Sequence, residues 1–401
     1  MPPRAARLNK HAKRESRLIR EESYRHMERL VDHRPSFTMS ILKRGQMSPS
    51  WIRRSNVFPT MLGREAIMLG ILVLLRHGLR KILVPAYLPS SVLRPIIESG
   101  VEFEFYEVRE DLQVNFERLE ERIDRGADAI LVIHYEGYPQ PIEQLARLCR
   151  AKGVRLVEDC AAVLPGSSNL GAVGDMAIFS LRKPLPLPDG GLLMVNRRDL
   201  LHHAEDEYRP VTAGTPRYMT TISGAGMLLM RGACASHESL VLNTLYLGLS
   251  RAFPQPFLYR RTSLHPMSGF SRQMLAKMDL REVTKRRAEN CRFYLDECPF
   301  PAIFPSVSDE SALLTFPVRV GRMRNRLARL LKRRGIIATV HWRLPRIINA
   351  KEFPASWSTS RSVLNLPVNQ DLTMTELERV VHALKEAHRE IRYRSDRCLP
   401  K

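Results

Sequence analysis

Short apolar runs typical of β-strands recur along the first half of the chain and alternate with stretches of helical periodicity. The first helix is predicted from Arg64 to Leu79, directly after Leu62 and Gly63. The predicted strands are Ile82–Val84, Phe103–Tyr106, Ala129–Ile133, Val154–Val157, Ala177–Phe179 and Leu192–Val195. Such alternation predicts an α/β fold around a mostly parallel central sheet.

The second half of the chain has a different pattern. Residues Arg198 to Lys285 are rich in Met and Leu without strand alternation, which predicts helices that link two domains and line a dimer. From about Arg287 a second α/β unit is predicted. Its elements are a strand at 313–320, an amphipathic helix at 325–335 and a last helix at 375–391.

Length and composition are consistent with two domains. The chain of 401 residues exceeds a single ordinary domain, and its hydrophobic fraction of 44% is ordinary for a globular protein. We therefore expect a basic N-terminal arm at 1–54, a large domain at 55–285 and a small C-terminal domain at 286–401.

Cysteine usage and the apolar segments predict a cytoplasmic protein. The six cysteines show neither C-x-x-C pairs nor metal-ligand spacing, which predicts reduced thiols and no metal site. Charges interrupt the first thirty residues throughout, so no signal peptide is expected. The longest apolar region, 223–235, is broken by Arg231 and is too short to span a bilayer.

Residues 1–54 hold 14 Lys or Arg against 5 Asp or Glu and so supply +9 of the formal net charge of +21, and the rest is spread along the chain. Apolar residues recur within residues 1–54 at helical spacing and predict a basic amphipathic helix. They are Leu18, Ile19, Tyr24, Met27, Leu30 and Val31. We expect this arm to pack on a partner subunit. Steering of anionic substrates, membrane docking and nucleic-acid binding are less favoured alternatives, and no motif specific for nucleic acid occurs.

An acid and a lysine follow two of the predicted strands. Asp159 stands at the end of the strand Val154–Val157, where open α/β sheets bind ligands, and Lys183 follows the run that ends at Leu181. Pyridoxal phosphate chemistry requires this pair, an amine for the cofactor aldehyde and a carboxylate that keeps the pyridine nitrogen protonated. Taken singly, each residue is also ordinary for the surface of an α/β protein.

Six segments in register resemble the DegT/DnrJ/EryC1/StrS aminotransferases of pyridoxal fold type I, from about Phe58 to about Ala387. Besides the strands that end near Asp159 and Lys183, they include a phosphate-side turn, a His-x-x-Gly-x-Pro loop and elements of the small domain. These segments are 59–67, 82–100, 129–153, 333–345 and 361–384. The resemblance implies an aspartate-aminotransferase-like fold, with a large domain around a mostly parallel sheet and a smaller C-terminal α/β domain.

Three positions depart from the family pattern. Lys183 lies three residues after Ser180, where the family usually has five. Ala162 occupies the position of a Gln or His beside the phenolic oxygen of the cofactor. The segment Gly269–Arg272 replaces a G-[FY]-N-x-R motif whose Asn reaches the phosphate of the partner subunit's cofactor, and Ser271 stands in for it.

The resemblance implies roles for individual residues. Lys183 and Asp159 are the expected catalytic residues. The phosphate is expected at the helix start formed by Gly63, Arg64 and Glu65 and at Ser180. The other expected contacts are Tyr87 stacked on the ring, His134 and Ala162 near it, Ser271 and Arg272 from the partner subunit, and His341 and Trp342 toward the substrate.

The implied function is transfer of an amino group by a homodimer. The expected donor is glutamate or glutamine, and the expected acceptor is a nucleotide-linked keto sugar or a related biosynthetic intermediate. Two alternatives remain open: another pyridoxal phosphate reaction on the same fold, and a non-catalytic basic relative that binds nucleic acid or a partner. Retention of Lys183 argues against the dehydratase branch, in which a histidine replaces it.

Overall fold

The computed structural model describes most of the chain. The described residues are 30–36, 49–166, 168–214, 218–236, 242, 245–246, 249, 262–308 and 313–396. Most of the predicted amphipathic helix, including Leu18 and Met27, lies outside these ranges. Leu30 and Val31 lie within them and are buried.

A seven-stranded sheet forms the centre of the large domain, in the order β1-β7-β6-β5-β4-β2-β3. Its strands are β1 (Val57–Thr60), β2 (Lys81–Pro85), β3 (Glu102–Tyr106), β4 (Ala129–Ile133), β5 (Arg155–Cys160), β6 (Met176–Ser180) and β7 (Gly191–Val195). Strand β7 is antiparallel to both of its neighbours, and the other pairs are parallel. The prediction of a mostly parallel sheet is confirmed.

Helices cover the sheet, as expected for parallel strands that are buried on both faces. They are α1 (Gly63–Arg76), α2 (Ser90–Ser99), α3 (Phe116–Ile123), α4 (Ile142–Lys152) and α5 (Arg198–Ala213), and α6 (Tyr218–Ser236) follows them in the chain. Helix α1 is buried along most of its length and ends three residues before the predicted Leu79, because Gly78 adopts a φ of +94° that ends the helical turn.

The second unit contains a two-stranded antiparallel sheet of β8 (Thr315–Arg319) and β9 (Val363–Pro367). Its helices are α7 (Gly269–Ala276), α8 (Leu280–Glu297), α9 (Arg324–Arg333), α10 (Pro354–Ser362) and α11 (Met374–Asp396). The expected boundary after residue 285 falls inside α8, which packs on α11. Residues 198–285 are not helical throughout, since 262–268 are extended and Pro266 forms a bridge with Thr60.

The described end of the N-terminal arm packs on this second unit. Val31 pairs with Ile336, and its N–H donates to the carbonyl of Gly335 at 3.0 Å. In the part of the chain that the structure describes, every helix is too short or too polar to cross a membrane.

Candidate active site

The carboxyl ends of β5 and β6 bring the two predicted catalytic residues to one edge of the sheet. Asp159 is the second-last residue of β5 and lies opposite Ile178 of β6 in the register. Ser180 ends β6, and the N–H of Lys183 donates to the carbonyl of Ser180 at 3.0 Å. This tight turn returns Lys183 toward the strand end, which explains how a lysine only three residues after the serine reaches the site.

Helix α1 begins against the end of β6. A Cβ added to Gly63 would lie 3.0 Å from Cβ of Ser180, so only glycine lets the first turn of the helix approach this serine so closely. A Cβ on Gly191 would lie 2.3 Å from the carbonyl group of Leu62. These two glycines place the N-terminus of α1 beside the Ser180 hydroxyl, and such helix ends attract phosphate groups.

A cavity of about 240 Å³ opens at this edge and is lined by Gly63, Arg64, Asp159, Ser180 and Lys183, all predicted from the sequence. Segments distant in sequence contribute additional walls. These further lining residues include Arg34, Arg182, Leu187, Pro188, Ser223, Met227, Arg231 and Tyr246. Helix α6 can cross over the loop after Lys183 because Gly224 packs on Pro188, where an added Cβ would lie 2.8 Å from the Pro188 Cβ.

The charge of Lys183 acts on two buried acids. Asp159 is 2% exposed and accepts the N–H of Ala161 at 2.9 Å. Burial raises the pKa of Asp159, and the charge of Lys183 opposes this rise. The pKa of Glu136 is lowered overall, because burial raises it but His341 and, more weakly, Lys183 lower it more. The ammonium group of Lys183 therefore lies within electrostatic reach of both carboxyl groups.

Some predicted contacts lie behind the cavity wall. Both ring nitrogens of His134 are engaged: Nδ1 accepts the N–H of Gln140 at 3.1 Å, and Nε2 lies 3.0 Å from Glu158. Because Nδ1 accepts, Nε2 carries the proton that is donated to Glu158. Ala162 is buried outside the lining, and Ala161 takes its place at the wall. His134 therefore supports the end of β5 in this structure.

Both the amide and the carboxylate of Glu65 have partners within the chain. Its N–H donates to the carbonyl of Leu62 at 2.9 Å and so is turned into the helix. Its carboxylate accepts the N–H of His265 at 3.0 Å. Glu65 therefore fastens segment 262–268 to α1, and Gly63 and Arg64 are the members of the predicted helix start that line the cavity.

Tyr87 lies in an aromatic cluster with residues of the small domain. Its hydroxyl donates to the carbonyl of His341, and its ring centroid lies 5.5 Å from that of Trp342. Nδ1 of His341 lies 2.7 Å from Glu136. The predicted substrate residues thus join the two domains, and neither they nor Tyr87 are part of the cavity lining.

The segment predicted to reach a partner subunit begins helix α7. Ser271 is fully buried, and its Oγ has no hydrogen-bond partner among the described residues. Arg272 is exposed on the same turn. Ser268, which caps this helix, is held by the buried carboxylate of Asp189 through its N–H at 3.0 Å and its hydroxyl at 2.7 Å.

Arg287 is a site residue that sequence reasoning missed. It is fully buried, and its guanidinium donates to the carbonyl of Pro184 at 3.2 Å and to Gln370 at 2.9 Å. It also donates to the carbonyl of Leu313 at 3.0 Å. Burial lowers the pKa of Arg287 to about 10. Because Pro184 follows Lys183 directly, Arg287 fixes the lysine turn to the small domain.

Replacement of Arg287 by methionine is expected to lower the free energy of unfolding by about 2 kcal/mol or more, because several buried carbonyl groups lose their donor. Urea denaturation measures this change. Arg281→Met, at an exposed position on the same helix, is the matched control and should change the free energy of unfolding by less than about 0.5 kcal/mol. Equal stabilities of the two variants would contradict the role of Arg287 in fixing the lysine turn to the small domain.

The cavity has the donor and acceptor set that pyridoxal phosphate requires. Because Gly63 lies against Ser180, the N-terminus of α1 and the Ser180 hydroxyl lie side by side at the cavity. Both can donate hydrogen bonds to a phosphate group. Asp159 supplies a buried carboxylate for a ring nitrogen, and Lys183 supplies the amine. The residues present therefore fit this cofactor, although Ala162 offers no side-chain hydrogen bond to its phenolic oxygen.

Comparison with known families gives one match that covers most of the chain. The model of the DegT/DnrJ/EryC1/StrS aminotransferase family matches residues 51–235 and 270–385. These ranges include every residue that was predicted from the sequence to contact the cofactor or the substrate.

Curated relatives are similar over shorter stretches. The chain is 29% identical over 122 residues to GDP-perosamine synthase of Vibrio cholerae, which is 29% of this chain and 33% of the relative. It is 28% identical over 148 residues to dTDP-4-dehydro-2,3,6-trideoxy-D-glucose 4-aminotransferase of Saccharopolyspora spinosa, which is 35% of this chain and 38% of the relative. The matched stretches thus span 33% and 38% of the length of these relatives.

Solved structures are similar over nearly the whole fold. The aminotransferase TlmJ from Streptoalloteichus hindustanus has a TM-score of 0.63 at 21% identity, with 84% of this chain and 87% of that chain covered. NtdA from Bacillus subtilis with bound cofactor PMP has a TM-score of 0.60 at 16% identity, with 82% of this chain and 73% of that chain covered. At these identities the similarity shows the fold alone, and the predicted fold is confirmed.

Proposed function

Because the chain belongs to the DegT/DnrJ/EryC1/StrS aminotransferase family, as its sequence predicted, we propose that it is a pyridoxal phosphate-dependent aminotransferase. The observation that carries this proposal is the convergence of Asp159, Ser180 and Lys183 with the start of α1 in one cavity. A structural role alone does not require an acid, an amine and a phosphate-type helix end to meet at the edge of a sheet.

When bound, pyridoxal phosphate supplies an electron sink for the bond that breaks at Cα of an amino acid. Asp159 would hold the ring nitrogen and keep it protonated. Ser180 and the amides at Gly63 and Arg64 would hold the phosphate. Lys183 would hold the cofactor aldehyde and, once a donor amine has displaced it, move a proton away from Cα of the donor.

The proposed acceptor is a nucleotide-linked keto sugar, with glutamate or glutamine as the donor. The names of two relatives support this acceptor class, since both refer to nucleotide-linked sugars. The charge of the cavity supports it too, because five cationic side chains and a single carboxylate line it among the described residues. Such a cavity favours a substrate that carries phosphate groups.

Incubation of the purified, pyridoxal phosphate-loaded protein with glutamate and a panel of keto acceptors tests the function. We expect an amino sugar nucleotide and 2-oxoglutarate as products with at least one nucleotide-linked keto sugar, and little product with simple keto acids. Protein that stays colourless after incubation with pyridoxal phosphate would contradict the cofactor. Coloured protein that releases other products would point to another reaction on the same fold.

We also propose a homodimer in which Arg272 reaches the cofactor phosphate of the partner subunit. Its exposure at the start of α7 supports this role, whereas Ser271 is buried within its own chain. A two-fold dimer would make both sites equivalent.

A heterodimer that combines Lys183→Ala with Arg272→Ala tests the dimer proposal. One of its two sites would contain both intact residues, so activity should return although each variant alone is inactive. No recovery in a verified heterodimer, or a monomer by light scattering, would contradict the composite site.

A further inference from the structure

The cavity has a second cluster of cations that the cofactor contacts leave unused. Arg34, Arg182 and Arg231 line it, in addition to Arg64 and Lys183 beside the predicted phosphate site. Arg34 precedes the first residue that the family model matches, which is residue 51. The cluster is therefore built partly from a segment that belongs to this chain and not to the family pattern.

The segment that carries Arg34 is anchored on both sides. On the N-terminal side of Arg34, Nδ2 of Asn369 donates a hydrogen bond to the carbonyl of Asp32 at 2.5 Å. After it, the hydroxyl of Ser36 donates to the carboxylate of Asp371 at 2.9 Å. These two hydrogen bonds anchor the short piece between them on the small domain. Arg34 thus lines the cavity from an anchored segment.

Arg231 approaches from helix α6. Arg231 is 6% exposed, and its Nη1 has no hydrogen-bond partner among the described residues. A buried guanidinium N–H without an acceptor costs free energy of desolvation, which a bound anion would recover. The hydroxyl of Tyr246, which also lines the cavity, donates to Asp32 at 3.0 Å. Nε of Arg34 lies 3.8 Å from the Asp32 carboxylate, and the Arg34 side chain is 45% exposed.

The arginines are close enough to repel one another. The pKa of Arg182 is lowered by partial desolvation and by the charges of Arg34 and Arg64, whereas Asp189 raises it, and the residue is exposed. A phosphate of the cofactor brings about two negative charges to the side of Arg64. Asp32 offsets part of the charge of Arg34 and Arg231, and Asp189 offsets part of the charge of Arg182. Three guanidinium groups still outnumber these two carboxylates, and an additional anion would balance the remaining positive charge.

We propose that Arg34, Arg182 and Arg231 form a second anion subsite, which binds the diphosphate group of the acceptor substrate. The choice of acceptor rests on the proposed function. Arginines match phosphate oxygens with paired N–H donors, and adjoining phosphates spread their charge over several of them. A donor carboxylate brings one negative charge and would leave most of the cluster without a partner.

Titration of the pyridoxal phosphate-loaded protein with inorganic pyrophosphate tests the subsite without turnover. Loading is confirmed first by absorbance, so that the site at Gly63 and Ser180 is occupied. Isothermal calorimetry at constant ionic strength should show binding to the unaltered protein. The affinity of Arg34→Gln and of Arg231→Gln for pyrophosphate should be lower by about tenfold or more, because each substitution removes a charge-assisted donor.

The control is Arg54→Gln, which removes the same charge from an exposed position outside the cavity lining and should bind pyrophosphate unchanged. Arg34→Gln keeps the test decisive if the buried change at Arg231 impairs folding, since Arg34 is half exposed. Equal affinity of the unaltered protein and Arg34→Gln, or no binding of pyrophosphate at all, would overturn the subsite.

Steady-state kinetics distinguish the two substrates that could supply the anion, the acceptor with its diphosphate and the donor with its carboxylate. Arg34→Gln should raise the KM for a nucleotide-linked acceptor about tenfold and leave the KM for glutamate unchanged. A rise for glutamate alone would overturn the assignment to the acceptor. Because the pyrophosphate titration needs no acceptor, a protein that binds pyrophosphate through Arg34 but aminates no sugar would refute the proposed function and not the subsite.

Discussion

Replacement of Lys183 by alanine is expected to lower kcat by about a thousandfold or more while the protein still binds pyridoxal phosphate. A positioned general base contributes roughly 10² to 10⁴ in rate, and loss of the covalent hold on the cofactor adds to the effect. Binding should persist because Gly63, Ser180 and Asp159 remain in place around the cavity. Fluorescence titration with the cofactor and a glutamate assay measure both quantities.

Lys277→Ala is the matched control for this prediction, because Lys277 is exposed at the end of α7 and away from the cavity lining. Its kcat should be unchanged. Turnover of Lys183→Ala within a few-fold of the unaltered protein would exclude Lys183 as the base. Rescue of part of the lost rate by a small added amine would identify the missing group as the amine itself.

Asp159→Asn is expected to lower kcat by roughly a hundredfold to a thousandfold, which corresponds to about 3 to 4 kcal/mol. The substitution keeps the shape of the side chain and can still accept the N–H of Ala161. It removes the charge that would keep a ring nitrogen protonated. The cofactor should bind with an altered absorption spectrum, since the protonation state of the ring changes.

The control for Asp159→Asn is Asp296→Asn at an exposed position of α8, which should leave both kcat and the spectrum unchanged. Near-normal turnover of Asp159→Asn would show that the strand-end acid does not serve the ring. Since Asp159 is buried, thermal melting of the variant must first show that it is folded.

Strands that are buried on both faces could be predicted closely from the sequence. Strand β4 matches its predicted bounds, Ala129–Ile133, because a parallel strand in the middle of a sheet is a continuous apolar run. Strands β1 and β9 were missed. Strand β1 is only four residues long and contains Pro59, whereas β9 ends at Pro367 and contains the polar Asn365, whose amide donates to Thr315 at 2.9 Å.

The residues of the candidate site also differ in how far the sequence indicates them. Gly63, Asp159 and Lys183 could be selected because each stands at the start of a helix or near the end of a strand, which are positions that local pattern indicates. Arg231 and Arg287 could not, since each lies on a long helix; Arg231 stood out only as a break in an apolar region, and nothing local distinguishes Arg287. Only the tertiary fold brings their guanidinium groups to the cavity and to the lysine turn.

The described end of the arm makes two contacts that the sequence indicated unequally. The apolar periodicity of the arm predicts packing on a partner subunit, and most of that segment lies outside the described residues. The described end places Arg34 in the cavity and packs Val31 against Ile336 of the same chain. Val31 belongs to the apolar periodicity, whereas nothing in that periodicity indicates Arg34.

Borohydride reduction followed by peptide mass spectrometry tests the central claim most directly, because it reports which lysine holds the cofactor. Pyridoxal phosphate-loaded protein is reduced, digested and searched for modified lysines, with Lys183→Ala treated in parallel. The account predicts one stoichiometric modification on the peptide that contains Lys183 and none in the variant. Modification at another lysine, or unmodified protein after reduction, would contradict it.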